Sequence, residues 1–165
     1  MARNVAIAFL PGTRGRLRAP EVRRIVRRVL DSEAVAPEVE VEVVLADGAT
    51  VRELNRLYRG KDEDTDVLSF AAHEGEAFLD SPDEAPSLGE VIVSVPFVER
   101  QVAAARQSGA SITVEGQLAH LLVHGLLHLL GLDHERGESE EVQMRDKEER
   151  LLESLGYAGQ YAHGH

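Results

Sequence analysis

Along the chain, short continuous apolar runs alternate with longer stretches in which apolar residues recur every three or four positions, the signatures of strands and helices respectively. Residues 5–10 predict a first strand, ended by the turn pair Pro11-Gly12. Pro20 suits the first turn of a helix in which Val22, Ile25, Val26, Val29 and Leu30 share one face and Arg23, Arg24, Arg27 and Arg28 lie opposite. In residues 39–45 valines alternate with glutamates, including Glu40 and Glu42, predicting a strand with one buried face before a turn at Asp47-Gly48. Residues 50–58 predict a short helix with Val51, Leu54 and Leu57 inward. Thr50 sits at its cap and Glu53 in the capping-box position.

Residues 66–71 and 88–95 predict two further strands. Between them lies an acidic segment with Glu74, Glu76, Asp80, Asp83 and Glu84, expected to form a loop. Pro96 opens a helix that runs to about Gln107 and breaks at Ser108-Gly109. Residues 113–130 form a helix so uniformly apolar that it must be buried. A charged helix over 138–155 turns Val142, Leu151, Leu152 and Leu155 inward and stops at Gly156. This order predicts an α/β (α+β) fold, a small mixed four-stranded sheet packed with about five helices, in a single domain over residues 1–165.

At 165 residues one compact domain with its own core is expected. There is no cysteine, so a metal would have to be held by nitrogen and oxygen donors. The run at 5–10 lacks a preceding basic region and a cleavage site, and no stretch reaches the length of a membrane span; a cytoplasmic protein without a membrane partner is expected. The net charge of −11 disfavours non-specific attraction to nucleic acid. Yet the first thirty residues carry eight arginines against one acid, Glu21. The arginine face, with Arg14, Arg16 and Arg18 before it, reads first as a solvated helix surface and second as a contact for RNA phosphates.

The chemistry is concentrated in the segment from His124 to His134. Residues four apart on a helix lie one above the other, so the imidazoles of His124 and His128 can converge on one ion. Gly131 supplies the left-handed turn that ends a helix, after which His134 can return as a third ligand. Three nitrogens leave a tetrahedral ion one open position, the mark of a catalytic and not a structural zinc. The metal site then lies at the end of the buried Leu-rich helix. His120 is one turn earlier, about 12 Å along the axis from His128 at 1.5 Å per residue, and reads as a supporting or core residue. His163 and His165, in a Gly/Ala tail, read as solvated.

The segment His124-Gly125-Leu126-Leu127-His128-Leu129-Leu130-Gly131-Leu132-Asp133-His134 resembles the signature of the YbeY-type endoribonucleases, the bacterial rRNA maturation factors. Two more segments extend the likeness, Tyr58 to Asp62 continuing through Thr65 to Phe70, and Leu88 to Ser94. The resemblance implies a zinc-dependent, single-strand-specific endoribonuclease that matures the 3′ end of small-subunit 16S rRNA and serves ribosome quality control. It implies metal ligands His124, His128 and His134, with Arg59 as the functional arginine. Its partners would be single-stranded RNA and the small ribosomal subunit, and not DNA. Leu132 replaces the usual aromatic, Glu90 the usual aspartate, Asp64 a frequent proline and Ala71 a proline that often follows Ser-Phe.

Arg59 alone would read as a surface ion pair; with the resemblance it reads as a clamp on phosphate. Lys61 and Asp66 are possible supporting residues, and Asp133 could act as a base or orient a ligand imidazole. Two other functions compete. One is a metalloprotease, which uses the same helical histidine pair but needs a glutamate where this chain has Gly125. The other is a ribosome-associated binding protein with a structural metal, which would show no turnover on RNA.

Overall fold

Three parallel strands and one antiparallel edge strand form the sheet of the computed structural model, which describes residues 3–72, 86–131 and 137–163. The elements run β1 (Val5–Phe9), α1 (Ala19–Ser32), β2 (Glu40–Ala46), α2 (Gly48–Arg59), β3 (Val67–Ala71), β4 (Ser87–Ser94), α3 (Val95–Gln107), α4 (Val114–Leu129) and α5 (Glu138–Leu155). Their order and types are those expected from the apolar pattern. The strands stand β1-β2-β4-β3, with β3 antiparallel to β4 and forming one edge. The acidic segment at 74–84 lies outside the described residues, as do Leu132, Asp133, His134 and His165.

The pleat sends alternate residues to opposite faces. Val41, Val43, Leu45, Val91 and Val93 point into the main core, which they share with α1, α3, α4 and α5. Helix α4 contacts the sheet, α1, α3 and α5, so nearly every one of its side chains is buried, and this accounts for its apolarity. On the opposite face Ala46, Val51, Leu68 and Ile92 make a second, smaller core beneath α2. Beyond that small core the same face carries Glu42 and Glu90, side by side on neighbouring parallel strands.

Three local expectations are corrected. Asp47, read as part of a turn, is the N-cap of α2, and its carboxylate accepts the Thr50 N–H at 2.7 Å; Thr50 therefore sits inside the first turn. Leu57 is exposed, because the face of α2 that meets the sheet is set by Val51 and Asn55 and Leu57 is two residues further round. Val142 is also exposed, since α5 buries Met144, Glu148, Leu151, Leu152 and Leu155 instead.

Gly89 of β4, paired with Ala71 of β3, leaves no room for a side chain. Its φ is +127°, and a Cβ there would run into the Phe70 carbonyl oxygen and lie 2.9 Å from Ala71 Cα, so only glycine fits.

Candidate metal centre

Helix α4 starts at Thr113, whose hydroxyl caps it by accepting the Gly116 N–H at 2.9 Å, and from there it carries His120, His124 and His128 through the core. The rings of His124 and His128 stand edge-on to each other with centroids 4.6 Å apart. The i, i+4 spacing thus brings these two expected ligands together. His134, the expected third, lies outside the described residues.

A residue not singled out from the sequence organises this helix from the other side. Glu148 of α5 is buried, and its two carboxylate oxygens accept from His120 Nε2 at 2.9 Å and His124 Nδ1 at 3.1 Å. Burial by itself raises the Glu148 carboxyl, but the hydrogen bonds from His120 and then His124 outweigh it and hold the group down at about 2, fully ionised. Burial likewise lowers His120, against the opposing pull of Glu148, so its ring donates as a neutral imidazole. With its proton on Nε2, His120 carries a bare lone pair on Nδ1, the nitrogen that has no hydrogen-bond partner. Donation from Nδ1 of His124 selects the tautomer with the lone pair on Nε2, the form that binds a metal. Glu148 was legible only as a charge falling on the same helical face as Met144, Leu151, Leu152 and Leu155.

His163, expected to be solvated, packs against this cluster: its ring stands edge-on to His120 at 5.0 Å, and its Nδ1 lies 3.6 Å from Glu148. The tail is tied to α4 by a two-way amide bond. Gln117 Nε2 donates to the Ala162 carbonyl at 3.2 Å and its Oε1 accepts the Ala162 N–H at 2.8 Å. Tyr161 then stacks on His120 at 5.0 Å. His120, Glu148 and His163 each offer a ligand atom, all within 4.8 Å of one another, so this set too could hold a metal ion.

Gly125 lies between the two histidines in sequence, and its surroundings decide one of the competing functions. A Cβ at that position would meet Val91 Cγ1 at 2.7 Å and Ser69 Oγ at 3.0 Å. A glutamate there would be driven into the sheet, away from the histidine face, so the base of a metalloprotease has no room. Gly125→Ala should destabilise the protein by about 1–3 kcal/mol through overpacking. Thermal unfolding checks this, and an unchanged melting temperature would show that the contact is not tight.

Ser69 links this helix to Arg59. Its hydroxyl donates to the Gly125 carbonyl at 3.2 Å, and its own carbonyl accepts from Arg59 Nη2 at 2.7 Å. The exposed guanidinium lies 4.7 Å over the Phe70 ring. Of the possible supporting residues, Lys61 is exposed and Asp66 is buried at the start of β3, where its carbonyl accepts the Ser94 N–H. The arginine-rich segment is partly engaged internally: Arg3 pairs with Asp31, Arg16 with Glu99 and Arg24 with Glu21, while Arg18, Arg27 and Arg28 are exposed. Among the described residues no helix is long and apolar enough to cross a membrane.

Comparison with known proteins agrees with this architecture. The solution structure of TM1509 from Thermotoga maritima is similar with a TM-score of 0.62 and 26% identity, covering 92% of this chain and 88% of that one. An endoribonuclease YbeY of Roseiflexus castenholzii is 45% identical over 82% of each chain. Another from Roseiflexus sp. is 43% identical over 93% of this chain and 94% of its own. The family model described as endoribonuclease YbeY matches residues 15–156, a span that takes in β2 to β4, the histidine helix, Arg59 and Glu148, and the chain belongs to that family.

Proposed function

We propose that the protein is a metal-dependent endoribonuclease that cuts single-stranded RNA, with zinc held by His124, His128 and His134 and with Arg59 engaging the phosphate. In this reading it matures the 3′ end of small-subunit 16S rRNA and serves ribosome quality control, working in the cytoplasm with the small ribosomal subunit as partner. The observation that carries the metal assignment is the close pair His124 and His128, with the tautomer of His124 set by a buried, ionised Glu148. A divalent ion there supplies Lewis acidity toward a phosphoryl oxygen or water.

The chain's own residues contribute position and charge. Glu148 fixes the ring plane and proton of His124, and the packing of Gly125 on Val91 and Ser69 fixes the helix against the sheet. The guanidinium of Arg59 is a planar fork of five N–H donors, able to meet two phosphate oxygens while keeping its bond to Ser69. A lysine would present a point charge without that geometry.

Arg59→Ala should leave metal content and folding unchanged and lower cleavage of a single-stranded RNA by about 10²–10³-fold, the usual cost of removing one donor to developing charge. Metal analysis and cleavage rates on one preparation check it. Equal cleavage by wild type and variant removes Arg59 from the site. Absence of any metal-dependent turnover by the wild type would favour a binding protein with a structural metal.

A further inference from the structure

On the face of the sheet under α2, a cleft of about 500 Å³ opens next to Arg59. That size suits a nucleotide. One wall is apolar and aromatic: Leu54, Phe70, and Tyr58, whose ring stands edge-on to Phe70 at 5.4 Å and is 65% exposed. The other wall holds two carboxylates, Glu42 and Glu90, at paired positions of β2 and β4. Neither has a hydrogen bond or an ion pair to another side chain among the described residues. Burial, with Glu42 beside it, raises the Glu90 carboxyl above its ordinary value. Like charges set side by side in a sheet destabilise it, so folding gains nothing from this pair. Removal of either charge would relieve the fold, and the pair is better understood by what it can bind.

The cleft combines three chemistries on neighbouring side chains: aromatic surface for a planar ring, a guanidinium for a phosphate, and carboxylate oxygens that only accept hydrogen bonds. We propose that it is a base subsite selective for guanine, in which Glu90 accepts the N1–H and N2–H of the base and Arg59 holds the adjoining phosphate. This rests on the endoribonuclease reading and adds a sequence preference to it. The choice of guanine follows from donor patterns on the base edges. Guanine presents two adjacent donors to a carboxylate. Adenine and cytosine each present one amino group beside a ring nitrogen whose lone pair repels the second oxygen, and uracil presents one N–H between two carbonyls. The cleft and the histidine helix lie on opposite faces of the sheet, and Ser69 of the edge strand β3 reaches both, its carbonyl accepting from Arg59 and its hydroxyl donating to Gly125, so a strand whose base sits here reaches His124 and His128 around that edge.

The test uses the full-length, metal-loaded protein and titration with guanosine 5′-monophosphate, followed by amide NMR signals. GMP should shift Tyr58, Phe70, Gly89 and Glu90, with the other three mononucleotides about tenfold weaker. Glu90→Gln should remove that preference, and Tyr58→Ala should weaken all four nucleotides together. Equal affinity for the four bases, unmoved signals at these residues, or GMP selectivity retained in Glu90→Gln would overturn the proposal. So would shifts caused by magnesium ion alone, which would make the acids a cation site. A parallel cleavage assay on RNA carrying guanosine or inosine at single positions separates the two layers. Inosine lacks the N2 amino group and should lower cleavage about tenfold at one position relative to the cut. Cleavage indifferent to this exchange sinks the subsite alone, whereas RNA left uncut by the wild type sinks the endoribonuclease reading and leaves the GMP titration to decide the subsite.

Discussion

Purified His128→Ala should contain almost no tightly bound divalent metal and should have lost RNA cleavage, while His163→Ala should keep its metal. The two variants discriminate between the two groups of donors that the fold brings together. His124 and His128 lie close together on one side of α4, and the expected third ligand, His134, follows the Gly131 turn in sequence. Removing one of three ligands leaves two imidazoles, too few for a tight tetrahedral site. The second group, His120, Glu148 and His163, sits one turn back and deeper. Its Glu148 already accepts from two imidazoles, and its His120 directs its proton at that carboxylate and not its lone pair. In that geometry the group serves as the hydrogen-bonded support of His124. Metal analysis of the two variants by mass spectrometry, with chelator competition to rank affinity, checks the assignment. Metal retained by His128→Ala and lost by His163→Ala would move the ion to the deeper set.

What the sequence made legible follows the periodicity of burial. Helix α4 was readable to within a residue because its thirteen buried positions leave little that is polar to confuse the pattern, and a histidine pair at i, i+4 inside it demands partners. The α2 cap was misread because both Asp47 and Thr50 are good capping residues; the choice is made by which carbonyl starts the helix, a tertiary matter. His163 was read as solvated because a Gly/Ala tail carries no periodic signal. Its docking depends on Gln117, which pairs with the Ala162 backbone forty-five positions along the chain. Glu148 was missed for the same kind of reason. In a helix rich in acids, one buried glutamate is distinguished only by the three-dimensional seam between α4 and α5. The clefted face behind Arg59 was equally hidden, since Glu42 and Glu90 become neighbours only through the parallel register of β2 and β4.

Replacing Glu148 should weaken metal binding without touching any proposed ligand. In Glu148→Gln the amide oxygen can still accept from one imidazole, but the amide nitrogen presents hydrogens to the N–H of the other. That conflict is relieved only by a change of tautomer. If His120 yields, its proton moves to Nδ1, which is buried and has no hydrogen-bond partner, and the unmet donor costs about 1–3 kcal/mol. If His124 yields, its proton moves to Nε2 and occupies the lone pair that a metal needs. The second course leaves no buried donor stranded in the core, so the loss should appear chiefly in metal affinity, by about 10–100-fold, the usual effect of removing a carboxylate behind a ligating histidine. Glu148→Ala strands both rings, and each buried donor left unmet should cost about 1–3 kcal/mol of stability in addition. The nitrogen chemical shifts of the His124 ring report its tautomer directly, a readout that a general loss of packing would not move. Unchanged metal affinity in Glu148→Gln, with the His124 proton still on Nδ1, would show that Glu148 supports the core and does not position the ligand.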